Sequence, residues 1–127
     1  MGGRWTTTLA RDRRGTAAIE YAIIFPVLLL VMLGIMDSGR LLSAYSSHYR
    51  ATEAAARCGA VDVTACGTTN QIRSKAVSSA WGLTVVPAAF TVATPACGVQ
   101  VSGAYTFSFS MPGFGPLALN ATSCHPK

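Results

Sequence analysis

Residues 13–26 read RRGTAAIEYAIIFP, and the continuation through residue 36 is VLLLVMLGIM. Two arginines and a glycine open onto an apolar run, and a carboxylate, Glu20, sits near the mouth of that run. Residues 16–36 form 21 positions whose only formal charge is Glu20. At 1.5 Å per residue a helix of that length covers about 30 Å, roughly the hydrocarbon thickness of a bilayer. A chain of 127 residues has little interior in which to hide so uniform a segment. The stretch therefore reads as a membrane-spanning helix, and the unpaired carboxylate within it requires a reason, because burying one in hydrocarbon is costly.

Charge places the rest of the chain. Ahead of the apolar run Arg4, Arg11, Arg13 and Arg14 stand against Asp12, a net +3 out of +5 for the whole chain. That asymmetry predicts a cytoplasmic amino end and an extracytoplasmic remainder. It also argues against a nucleic-acid partner, since beyond residue 57 the cations are only Arg73, Lys75 and Lys127. All four cysteines, Cys58, Cys66, Cys97 and Cys124, fall on the outer side. An even count in a small exported domain predicts two disulfides. Three connectivities are open; Cys58–Cys66 with Cys97–Cys124 is favoured, the first closing a short loop after the helix and the second tying two late strands. Zinc, with His125 as an extra ligand, is the rival, but no cysteine spacing has the short form of a structural zinc site.

The apolar segment continues into a different texture. In residues 37–59, DSGRLLSAYSSHYRATEAAARCG, the positions Leu41, Ala44 or Tyr45, His48, Thr52 and Ala55 recur at helical spacing. One helix from Thr16 to about Arg57 is expected, kinked at Pro26, with Asp37–Arg40 and Glu53–Arg57 as surface pairs. A loop should follow between Cys58 and Cys66. Next comes a short helix over residues 71–81 capped by Asn70, with Ile72, Ala76, Val77 and Ala80 as its apolar side. Residues 88–94, 99–111 and 117–123 read as strands; in the second, Val99, Val101, Tyr105, Phe107 and Phe109 alternate with small or polar residues. The MPGFGP stretch must turn. The expected fold class is α+β: a long amino-terminal helix, membrane-spanning in its first half and amphipathic in its second, with a small carboxy-terminal antiparallel sheet. The expected segments are 1–15 leader, 16–36 span, 37–57 amphipathic continuation and 58–127 disulfide-stabilised outer domain.

Catalytic patterns are missing. The sequence has no G-x-S-x-G, H-E-x-x-H, phosphate-binding glycine loop or C-x-x-C. Asp62 is the only acid beyond Glu53, too little for a paired-carboxylate hydrolase. His48 reads as a packed helix residue and His125 as a terminal loop residue. No catalytic residue, metal or cofactor is expected.

The glycine and the glutamate carry a resemblance. Gly15-Thr-Ala-Ala-Ile-Glu20-Tyr21, preceded by Arg13 and Arg14, is similar to the processing site of class-three prepilin peptidase substrates. The fuller stretch over residues 13–40, RRGTAAIEYAIIFPVLLLVMLGIMDSGR, resembles the TadE/TadF-like pseudopilins of tight-adherence (Flp) pili. The resemblance implies a pilin-like fold and removal of residues 1–15, with Thr16 as the new amino terminus. Glu20 would then be the fifth mature residue, one helical turn from a free α-amine, and able to pair with its own or a neighbour's amine. Such pairing offsets desolvation and, between subunits, sets register. The implied partners are prepilin peptidase, other pilins or pseudopilins through the amino-terminal helix, the inner-membrane assembly platform and membrane lipid. The implied location is the bacterial cytoplasmic membrane, single-pass, with entry into a pilus as a further step. About 70 residues after Arg57 are more than a bulk Flp pilin carries and fewer than a TadG-like adhesive domain needs, so the resemblance implies a minor subunit. The alternative is an uncut, membrane-anchored binding module; a cleaved secretory signal is disfavoured by Arg40, Leu41 and Leu42 where its cutting site would lie.

Overall fold

The computed structural model describes residues 14–127, so the leader residues Arg4, Arg11, Asp12 and Arg13 lie outside the described residues. The first helix, α1, runs Arg14–Val61 with Pro26 inside it. It passes the expected end at Arg57 by four residues. The chain divides into two compact units, Met1–Met36 and Asp37–Lys127.

In the first unit, the described residues are the apolar part of α1, and none of Gly15 through Leu33 is buried. Large apolar side chains from Ile19 to Met36 face outward all round. A helix apolar on every side is built for a surrounding other than water.

The second unit has its own core. After α1 come α2 (Val63–Cys66), α3 (Thr69–Ser79), a single 3₁₀ turn (Pro87–Ala89), β1 (Phe90–Ala93), β2 (Val99–Phe107) and β3 (Leu117–His125). The strands form one antiparallel sheet in the order β1-β2-β3. Phe90 pairs with Gly103, and Phe107 with Leu117. Against this sheet the α1 stripe buries Ala44, His48, Ala51, Thr52, Ala55 and Ala56. Of the two residues offered for the second position of that stripe, Ala44 is buried and Tyr45 is half exposed. The helix contributes small side chains and the sheet large ones, so Phe90, Val99 and Val101 join Ala51, Ala55, Ile72 and Ala76 in one cluster. Gly103 shows how close the layers come: a Cβ there would stand 2.7 Å from the Phe90 ring and 2.8 Å from His48 Cε1.

Local chemistry moves several boundaries. Cys58 lies in the last turns of α1 and Cys66 in α2, so the expected loop between them is largely helical. Asp62 separates the two helices, its carboxylate accepting from Thr64 N at 3.0 Å and Ala65 N at 2.9 Å. The cap of α3 is Thr68, not Asn70. Thr68 Oγ1 accepts from Gln71 N while Gln71 Oε1 accepts from Thr68 N, a reciprocal pair that Asn70 could not form. His125 ends β3 opposite Val99 instead of lying in a terminal loop. Disulfides join Cys58 to Cys66 and Cys97 to Cys124, the latter fastening the turn before β2 to the end of β3.

Candidate functional site

The residues singled out for processing and assembly occupy the first two turns of α1. Gly15 and Thr16 are exposed, and a Cβ on Gly15 would meet nothing within 4 Å. Packing therefore does not demand a glycine there. The bond between Gly15 and Thr16 lies in the first turn, where backbone N–H groups have no partner within the helix. Glu20 stands four residues after Thr16, one turn on and on the same side. Among the described residues no ion pair engages it; the single pair is Asp37–Arg40. Tyr21 is 74% exposed, and the side chains of Ile23, Ile24, Val27 and Leu28 beyond it are also outward. Glu53 and Arg57, expected to pair along the helix, are both exposed and form no ion pair among the described residues.

Asp37 behaves differently from the surface ion pair expected of it. It is 3% exposed, on the turn where the apolar run ends. One carboxylate oxygen accepts from Arg40 Nη1 at 2.9 Å. The other accepts from the backbone N–H groups of Ser110 at 2.9 Å and Met111 at 3.0 Å. Arg40 Nη1 also donates to Ser110 Oγ at 2.6 Å, and its guanidinium lies 5.5 Å from the centre of the Phe107 ring. Burial alone would push the Asp37 carboxyl upward. The hydrogen bonds from Met111 and Ser110, with the Arg40 charge, outweigh that burial and hold it below the usual aspartate value. The carboxylate thus pins the β2–β3 connection to the helix. Its sequence separation from Ser110 and Met111 kept this clamp out of reach of any local pattern; the available signal was an acid placed directly after an apolar run.

His48 is fully buried between Phe90, at 5.7 Å between ring centres, and Tyr105, at 6.2 Å. Among the described residues neither of its ring nitrogens has a hydrogen-bond partner. It is a packing residue in this geometry.

These features coincide with a recognisable segment. Residues 15–57 match the family model described as TadE-like protein. No curated protein and no solved structure matches the chain. The matched segment opens at Gly15, contains Glu20, Asp37 and Arg40, and ends at Arg57, the last turns of α1 before Cys58. Over residues 15–57 the chain is therefore similar to TadE-like proteins.

Proposed function

We propose that the protein is a non-enzymatic minor pilin or pseudopilin that supports assembly of a tight-adherence pilus. In this reading prepilin peptidase cuts after Gly15, the leader with Arg13 and Arg14 stays cytoplasmic, and the domain beyond Asp37 is exported. The observation that carries the reading is the match beginning at Gly15 on a helix whose next residues are all exposed and nearly all uncharged. Such a surface has two natural surroundings: lipid before assembly and the helices of neighbouring subunits after it. Glu20 is the exception in that surface. A carboxylate without an ion-pair partner among the described residues is costly in either surrounding unless a cation joins it. The α-amine released at Thr16, one turn away or on an adjacent subunit, is the cation that cleavage would supply.

Amino-terminal sequencing of protein extracted from a host with the cognate peptidase is expected to begin at Thr16. A chain beginning at Met1 or near Ser43 would overturn processing at Gly15. Glu20→Ala is expected to be cut and inserted normally, yet to lose crosslinks to other pilins from Ile23 and Val27 and to lower pilus number. Normal pili and unchanged crosslinks in Glu20→Ala would remove the register role and favour an anchored module instead.

A further inference from the structure

The connection between β2 and β3, residues 108–116, reads SFSMPGFGP and carries no charge. Links between strands run over the surface and commonly meet water. This one presents aromatic surface instead. Phe109 stands edge-on to Phe107 at 5.1 Å and tilts against Phe114 at 5.6 Å, while Phe114 itself stays 60% exposed. The connection leads into Leu117, which shares with Leu41, Leu42, Tyr45 and Leu119 an apolar groove of about 440 Å³. Leu42 is 70% exposed at its edge. Exposed apolar surface gathered in this way marks a contact to be made.

The Asp37 hydrogen bonds say where the contact lies. Asp37 directly follows Met36, the last residue of the apolar run, and its carboxylate holds the N–H groups of Ser110 and Met111. We propose that the β2–β3 connection is a membrane-surface contact, with Phe114, Leu117, Leu42 and Tyr45 seated in the interfacial layer of a phospholipid bilayer. The proposal rests on reading residues 16–36 as a membrane span. An ionised carboxylate with a guanidinium on it leaves the hydrocarbon where that span ends, so residue 37 and the backbone bonded to it lie at headgroup depth. Leu41 and Leu42 follow within about 8 Å along the helix, close to the thickness of one headgroup layer. Tyrosine is favoured at that depth, and phenylalanine and leucine of surface-bound segments enter the acyl boundary by about 5–10 Å. Charge agrees with a lipid partner. Neither the connection nor the groove offers an acid to repel phosphate, and the Arg40 side chain is 54% exposed beside them.

The test uses the full chain in phospholipid vesicles. With Trp5→Phe and Trp81→Phe, Phe114→Trp leaves one indole to report on the connection. Its emission is expected to lie to the blue of Trp81 in a Trp5→Phe chain. It should be quenched more by phospholipid brominated high on the acyl chain than by phospholipid brominated near the chain end. Val27→Trp in the same background marks the span and should show the opposite order. Water-like emission from Phe114→Trp would overturn the proposal, and so would blue-shifted emission that no brominated lipid quenches, the signature of cover by protein such as a second copy. Quenching at Val27→Trp alone would sink the contact and leave the span standing. No quenching at either position would overturn the span, and the proposed contact with it.

Discussion

The two disulfides close loops of different length, and that difference has a measurable consequence. Cys97 and Cys124 are 27 positions apart, Cys58 and Cys66 only 8. Tethering the unfolded chain removes entropy that grows with the logarithm of loop length, which at 25 °C gives about 3.5 kcal/mol for the longer loop and about 2.5 kcal/mol for the shorter. The difference of about 1 kcal/mol corresponds to roughly 5 °C in Tm for a domain of about 90 residues. Mutating a bridge also changes packing, because Cys66 is buried. Two single-bridge variants avoid that confusion. Cys58→Ala with Cys66→Ala retains only the long loop, and Cys97→Ala with Cys124→Ala retains only the short one. Each is compared with itself before and after reduction, by pulse proteolysis across a urea series in detergent. Reduction is expected to cost more in the variant that keeps Cys97–Cys124. An equal or inverted order would refute the loop-entropy reasoning and point to native-state contacts around Cys66 as the source of the stabilisation. Removing both bridges forfeits about 6 kcal/mol, comparable to the whole stability of a small domain, so the doubly reduced protein is expected to unfold near physiological temperature.

Asp37 should make the carboxy-terminal domain sensitive to acid. Its carboxyl is held below the ordinary value in the folded protein, so its contribution is complete above the unfolded pKa and is lost as pH falls through the folded one. Asp37→Asn is expected to lower the urea midpoint at pH 7 and to flatten its decline between pH 5 and pH 3; an unchanged slope would show that the clamp does not titrate. His48 is the converse case, a buried imidazole whose nitrogens bond to none of the described residues. Replacing a buried polar group that lacks partners by an apolar one of similar size removes a desolvation cost of about 1–3 kcal/mol. His48→Leu should therefore raise the midpoint, and a marked fall would reveal a hydrogen bond to the ring.

Several features were legible in the sequence because they depend on neighbours along the chain. The long helix, the alternation in β2 and the turn at MPGFGP are local patterns, and the structure has all three. The basic flank and the spacing from Gly15 to Glu20 are likewise local, and they carried the resemblance that the match over residues 15–57 supports. Boundaries were less legible. Asn70 and Thr68 are both good capping residues, and only the reciprocal bond to Gln71 decides between them.

By itself, then, the sequence determined that an apolar helix leads into a small α+β domain with cysteines beyond it, since hydrophobic period, turn residues and charge are properties of adjacent positions. Only the tertiary structure decided what Asp37 does. Read along the helix, it is one half of a surface pair with Arg40. Folded, its second oxygen takes two backbone N–H groups from more than seventy positions away. The same holds for His48, whose burial follows from Phe90 and Tyr105 arriving on the sheet. The physical reason is common to both. A side chain's hydrogen bonds and burial depend on which distant segments fold against it, and the period of one helix records only which face they will meet.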